Sequence, residues 1–392
     1  MSEAGSRTRS LVVVLACVGG AKLFVTAIMA IAGLLYSQAE IDSQYGGSGV
    51  ALLQAGWERL LLGVWQREDA IWYQKIAEVG YSTQDMTQEF FPLFPMSMRL
   101  VTWITGLHPV SAGMIISELS ILLALYLLHR LILPGFGART ADRTVLYISI
   151  FPTAFFLHGP FTESLALALA VLAFYLMRSG RWYASAVAGF LAGLSRPQGL
   201  LLGPALAMEQ ISGGKPLGQW RSFHWTRPDL ARASILLLAP VAGFGTFIML
   251  VDTAWRRPGE FSGIGPGHGV PAPPGAALLF ALQNFATGTI YPIELFNFIV
   301  ALAFLPLIVL VALRLGAGYA VYSALFFAAP LSRYLPGFAL MSFSRYMLLL
   351  FPCFIVLALL GRRRWVHLAV IFLFLWWLVV WSFKFPTGYF VG

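Results

Sequence analysis

The chain has 392 residues, of which 58% are hydrophobic and only 11% charged, and its mean hydropathy is +0.76. A soluble domain carries roughly 25% charged and about 45–50% apolar residues, so these proportions exclude a water-soluble fold and make the bilayer the solvent. The net charge of +9 lies largely in short basic clusters between apolar runs, which mark cytoplasmic loops under the positive-inside rule and not a nucleic-acid surface.

Lipid-facing backbone has to satisfy its own hydrogen bonds, which leaves helices or a closed barrel. The apolar runs 11–35, 232–251 and 365–383 are continuous, whereas barrel strands alternate over about 10 residues. The expectation is an all-α polytopic membrane protein, one integral membrane domain over residues 1–392. Run 11–35 follows Arg7 and Arg9. It exceeds the about 7–15 apolar residues of a signal peptide, so it reads as a retained anchor although Ser37-Gln38-Ala39 resembles a cleavage site. Residues 36–89 form the longest non-spanning stretch. They carry Glu40, Asp42, Glu58, Glu68, Asp69, Glu78, Asp85 and Glu89 against Arg59, Arg67 and Lys75, an acidic balance that places this loop outside. Within it, 50–65 reads as a helix in the membrane interface with Trp57 and Trp65 at headgroup depth. Residues 69–79 read as a second short helix, stopped by Gly80.

Segment 90–106 opens with Phe91-Pro92-Leu93-Phe94-Pro95 and is short for a span. Segment 111–129 is a clear span, followed by an inner loop at 130–143 bearing Arg130, Arg139 and Arg143. Span 145–159 leads out to His158-Gly159-Pro160, and 162–177 returns to Arg178. Residues 184–208 lie between two basic, inner segments and cannot hold two crossings of about 20 residues each. Two half-length helices meeting at Arg196-Pro197 resolve the count, since irregular backbone is tolerated where it lines a cavity. Span 232–252 leads to a second outer loop, 255–275, whose Gly and Pro content suits a mobile lid. Spans at 292–313, 317–335, 345–361 and 365–383 complete a bundle of about 10–12 transmembrane or half-length helices. Cys17 and Cys353 both fall inside apolar runs, so no disulfide framework is expected.

An ionisable group at membrane depth or in a membrane-proximal loop is a functional candidate, because holding it there is costly. Asp69, beside Glu68, is the first such candidate. It reads equally as the N-cap of a helix starting at Ala70 and as a general base for an acceptor hydroxyl. Glu163 stands at the outer start of a span, where an acid also suits the first turn of a helix. Arg196 interrupts an apolar stretch and Arg345 opens one. Each guanidinium has the geometry to hold a phosphate, and Arg345 equally reads as an interfacial residue snorkelling to headgroups. The six histidines are scattered without zinc spacing, and neither a phosphate-binding GxxxxGK[ST] loop nor an Asp-x-Asp pair is present. No metal or nucleotide cofactor is expected.

The run Trp65-Gln66-Arg67-Glu68-Asp69-Ala70-Ile71-Trp72-Tyr73, then Ile76-Ala77, Gly80-Tyr81 and Phe90-Phe91-Pro92-Leu93-Phe94-Pro95, resembles the signature of PIG-V-like mannosyltransferases. Phe161-Thr162-Glu163-Ser164, Leu194-Ser195-Arg196-Pro197-Gln198-Gly199 and Arg345-Tyr346 with Phe351-Pro352 are similar to later elements of that pattern, in order. Glu68 stands where the family often has Trp, and Phe161 where Tyr is common. The resemblance implies a GT-C-like fold with interfacial helices in the first extracytoplasmic loop. It also implies a polyprenyl-phosphate sugar as donor and a glycan, glycolipid or protein acceptor. On that reading Asp69 is the expected base, with Glu68 its neighbouring rival. Glu163 orients hydroxyls, Arg345 and Arg196 stabilise the leaving phosphate, Tyr346 accompanies Arg345, and Trp72, Tyr73 and Tyr81 pack against sugar faces. The implied setting is a bacterial-type plasma membrane with the site outside, or the lumen of the endoplasmic reticulum. A lipid transporter or flippase, or a non-catalytic scaffold, is the alternative; a transporter would show internal repeats, and none is evident.

Overall fold

The computed structural model describes residues 3–36, 49–82, 85–254, 270–335 and 338–391. Apolar runs fold into helices wherever no proline or glycine interrupts them. The first half holds α1 (Glu3–Leu35), α2 (Gly56–Leu61), α3 (Asp69–Val79), α4 (Leu93–Thr105), α5 (Pro109–Phe136), α6 (Ala138–Ser149), α7 (Glu163–Arg178), α8 (Trp182–Ser195) and α9 (Leu202–Ser212). The second holds α10 (Arg227–Ala254), α11 (Ala276–Ala286), α12 (Pro292–Arg314), α13 (Ala317–Leu331), α14 (Phe343–Met347), α15 (Phe351–Leu360) and α16 (Arg364–Lys384). A two-residue antiparallel pairing joins β1 (Val270–Pro271) to β2 (Arg333–Tyr334). Among the described residues five helices are long and apolar enough to cross a bilayer: Gly5–Leu35, Pro109–Phe136, Arg227–Leu250, Pro292–Arg314 and Arg364–Thr387. The protein is an all-α, multi-pass integral membrane protein, as its composition required. The chain forms two compact units, residues 1–171 with 358–391, and residues 172–357.

Several local expectations are corrected. The interfacial helix expected over 50–65 shrinks to α2 and one 3-10 turn at Gly63–Trp65. Trp57 is 65% exposed as expected, but Trp65 is wholly buried and packs against Phe385 instead of standing at headgroup depth. The inner loop expected at 130–143 is a single turn at Gly137, whose φ of +79° only glycine adopts without strain; Arg130 ends up on α5, and Arg139 and Arg143 on α6. Residues 145–159 are not a span. Helix α6 stops at Ser149, three residues before Pro152, and a 3-10 turn covers Ala154–Leu157, because proline removes a helical donor and restricts the residue before it. Proline also divides 345–361 into α14 and α15, with Pro352 in the first turn of the latter. Segment 317–335 ends its helix at Leu331, after Pro330. Helix α11 has no counterpart among the expected spans. The lid expected at 255–275 lies outside the described residues up to 269, as do 37–48 and 83–84 of the first loop.

Other expectations hold. Helix α4 has 13 residues, about 20 Å at 1.5 Å per residue, short of the ~30 Å hydrocarbon core. The break at Arg196-Pro197 is present. Helix α8 ends at Ser195, Arg196 is extended, a 3-10 turn spans Pro197–Leu201, and α9 resumes at Leu202.

Polar staples hold each unit. In the first, buried Ser10 of α1 meets His129 Nδ1 of α5 at 2.9 Å, and His129 Nε2 meets Asp142 Oδ1 of α6 at 2.9 Å, with Arg9 also paired to Asp142. This sequence of groups mimics a hydrolase triad, but Ser10 is sealed from any substrate, so the chain joins three helices. In the second unit Arg178 Nε pairs with the buried Glu209 Oε1 at 2.9 Å and lies over the Tyr319 ring.

Helices α8 and α10 approach backbone to backbone. A Cβ at Gly193 would run into the Pro240 carbonyl, and one at Gly243 into that of Phe190, the small-residue contact that brings membrane helices together without a hydrophobic drive. Gly193→Ala is expected to cost about 1–3 kcal/mol through overpacking, read as a lowered midpoint of thermal unfolding in detergent, while Gly135→Ala, where the added Cβ meets nothing, leaves it unchanged.

Candidate active site

The first unit carries the acidic candidates. Helix α3 begins at Asp69, not Ala70, and the N-cap position belongs to Glu68. Asp69 is thus not the capping residue the sequence allowed for. Glu68 holds φ 50° and ψ −131° with no side-chain cap bond. A non-glycine residue there is strained, and such strain persists only where surrounding structure enforces it. The side chain of this residue is anchored: Glu68 Oε1 accepts the amide of Val391 at 3.0 Å. One carboxylate of the adjacent pair is therefore committed to the backbone of the C-terminal segment, while half-buried Asp69 occupies the first turn of α3.

Beneath this turn, Gln66 and Gln74 are both fully buried. Gln66 donates to Gln74 Oε1 at 2.7 Å and to the Ala51 carbonyl at 3.1 Å, and accepts from Leu53 N at 2.7 Å; Gln74 donates to Glu78 at 2.7 Å. Four residues after Asp69, and so on the same face of α3, the Tyr73 hydroxyl lies 3.5 Å from Thr162 Oγ1. Thr162 directly precedes Glu163, the first residue of α7, which is fully buried. One hydrogen-bonded link thus connects the helix that starts at Asp69 with the helix that starts at Glu163.

The aromatic candidates build the same region. Tyr73 is buried edge-on to Phe90 and Phe94. Trp72 stacks on Phe90. Tyr81 donates its hydroxyl to the Phe90 carbonyl at 2.9 Å, and burial raises its pKa, keeping that proton in place.

The second unit carries the basic candidates. Arg196, 8% exposed, donates through Nε to Gln198 Oε1 at 2.9 Å. Its guanidinium carbon lies 5.4 Å from the Tyr346 ring centre, and that of Arg333 lies at the same distance from the same ring. Arg345, 5% exposed, sits beside Tyr346 on α14. This short helix is pinned by α12: Glu294 accepts from Leu340 N at 2.8 Å, and Asn297 donates to Leu340 O at 2.9 Å and accepts from Ser344 N at 3.1 Å. It is entered through Ser342 at φ 60°, the other left-handed non-glycine residue among those described. Arg196 and Tyr346, far apart along the chain, are thus neighbours in space.

Sequence reasoning missed Arg333, Glu294 and Asn297. Glu294 and Asn297 were findable as polar residues three apart in an apolar span. Arg333 was not, because its importance comes only from meeting the ring that Arg196 also faces.

Residues 12–212 match the family described as Mannosyltransferase (PIG-V), a range that includes Glu68, Asp69, Trp72, Tyr73, Tyr81, Glu163 and Arg196. No curated protein sequence matches the chain. Among solved structures, ArnT from Cupriavidus metallidurans bound to undecaprenyl phosphate is similar at 15% identity and a TM-score of 0.46, over 82% of this chain and 70% of that one.

The loop after α3 has a pH signature. Burial raises the Asp85 pKa, but the Thr87 hydroxyl, the Lys75 ammonium and the Thr87 amide outweigh it and hold the carboxyl below its usual range, with Lys75 Nζ 2.9 Å away. A depressed folded pKa contributes stability above the unfolded value, about 3.9, that is lost as pH falls through the folded one. Asp85→Asn is expected to lower the thermal midpoint at neutral pH, with the difference from the unaltered protein closing below pH ~4.

Proposed function

The chain belongs to the mannosyltransferase (PIG-V) family, and on that premise we propose that it transfers mannose from a polyprenyl-phosphate carrier to an acceptor hydroxyl by single inverting displacement, with Asp69 as base. The observation that supports this most is the division of labour at residues 68 and 69. Glu68 is strained and its Oε1 accepts the Val391 amide, whereas Asp69 opens the first turn of α3, a placement that favours it as the base.

In the displacement, the acceptor oxygen attacks the anomeric carbon. Its bond forms as the bond from that carbon to the phosphate oxygen breaks, and Asp69 takes the acceptor's proton, a transfer that needs hydrogen-bond reach in the reacting complex. Polyprenyl phosphate leaves with an added negative charge. Guanidiniums in a low-dielectric setting stabilise such growing charge strongly, and Arg196, Arg345 and Arg333 are the groups assigned to it. Glu163 orients sugar or acceptor hydroxyls, and Trp72 is the aromatic wall for the sugar. A lipid-borne donor suits a protein whose solvent is the bilayer, because the donor reaches it by lateral diffusion. We assign the site to the extracytoplasmic side, in keeping with the basic Arg7 and Arg9 at the other end of the first span.

Asp69→Asn, assayed in purified full-length protein with polyprenyl-phosphate mannose, is expected to reduce transfer by about 10²–10⁴-fold; turnover at the unaltered rate would remove the assignment. Arg333→Ala is expected to raise the KM for that donor by roughly tenfold or more, the worth of a charged hydrogen bond of about 1.5–3 kcal/mol. An unchanged donor KM would take Arg333 out of the phosphate site.

A further inference from the structure

Lys22 and Glu118 are charges inside the two longest apolar helices of the first unit, α1 and α5, where ionisable groups are rare because lipid does not solvate them. Lys22 Nζ lies 3.2 Å from Glu118 Oε1, and the two side chains are 22% and 26% exposed. Both also grip one residue of the segment between α6 and α7. Lys22 donates to the His158 carbonyl at 2.8 Å, and Glu118 Oε1 meets His158 Nδ1 at 3.0 Å. His158 is 1% exposed. The ion pair thus contacts His158 at both its ring and its carbonyl.

The grip continues along the chain. Ser117, next to Glu118, donates to the Phe161 carbonyl at 3.3 Å. Gly113, one turn earlier on α5, has no room for a Cβ because Pro160 fills the space. Ser164 donates back to the Leu157 carbonyl at 2.5 Å, and Tyr73 reaches Thr162. Every residue from 157 to 162 except Gly159 is thus held by a named side chain or packed against α5, and Gly159 itself abuts Trp65. The residue that follows is Glu163. A partly buried ion pair adds little net stability compared with apolar residues of the same size, which directs attention to the geometry it imposes.

We infer that Lys22 and Glu118 are positioning residues for the transfer reaction: by holding His158 through its ring and its carbonyl, they set the turn that aims Glu163. This rests on the reading that Glu163 orients substrate hydroxyls. The pair touches no reacting atom and acts through the 158–162 turn.

The test is a double-mutant cycle in the full-length protein, with polyprenyl-phosphate mannose as donor and a membrane glycolipid extract as acceptor. Lys22→Met is expected to lower kcat at least tenfold with the donor KM unchanged, and to add nothing further in the Glu163→Gln background, since a residue acting through Glu163 couples to it. Lys22→Met combined with Glu118→Leu, which removes both charges together, is expected to stay folded with a lowered unfolding midpoint, because the His158 ring and carbonyl lose their partners, and to turn over slowly. Full multiplication of the two single effects, or recovery of kcat in the charge-free pair, overturns the inference and leaves the pair a structural staple. Wild-type turnover by Glu163→Gln overturns the reading of Glu163 itself, a different failure with a different signature. Should Lys22→Met not fold, Ser117→Ala, which loses one hydroxyl from the same clamp, enters the same cycle with a several-fold loss expected; additivity with Glu163→Gln overturns the inference there too.

Discussion

A bilayer offers no hydrogen bonds, so every polar group carried into it has to find its partner within the protein. The architecture follows from that constraint. Gln66 and Gln74 bond each other and the carbonyl of Ala51. Glu294 and Asn297 of α12 supply to residues 340–344 the bonds that a regular helix would have supplied. Irregular backbone survives in a membrane protein only when side chains replace its missing partners, and these polar residues mark where it does. They lie beside the segments that lead into Asp69 and Arg345.

Backbone strain marks two of the same places. Glu68 and Ser342 are the non-glycine residues with left-handed φ among those described. Each stands at the N-cap of a short helix that carries a candidate residue, Asp69 directly after Glu68 and Arg345 three residues after Ser342. Strain of this kind costs on the order of 1–3 kcal/mol and is retained where the chain direction it sets is needed. It ties one acidic and one basic candidate to the same structural device, in separate units of the chain.

Much of this was readable from residues. Helix α3 falls on 69–79 as its composition required, and the half-length helices at Arg196-Pro197 followed from counting charges and lengths alone. What failed to show has identifiable causes. Pro152 is embedded in a run so apolar that hydropathy concealed its effect on α6. The glycine at 137 closes in one residue a loop that three arginines made look long. Lys22 and Glu118 each sit alone in a span, and a lone charge carries no pattern; they become informative only when α1 and α5 bring them to one histidine. Arg333 is likewise a residue of tertiary structure, defined by Tyr346. Asp69 and Glu68 were both visible from the start, but the tie of Glu68 to the C-terminal segment was not, since its partner amide lies more than three hundred positions away.

That amide belongs to Val391, 323 residues beyond Glu68. Chains enter membranes in order of synthesis, so Glu68 waits for its partner until α16 has been inserted and the segment after it has folded back. During that interval the strained turn before Asp69 lacks its anchor to the C-terminal segment. The turn that leads into Asp69 therefore gains this contact only after the C-terminal segment is in place, so its completion is tied to insertion of the whole chain.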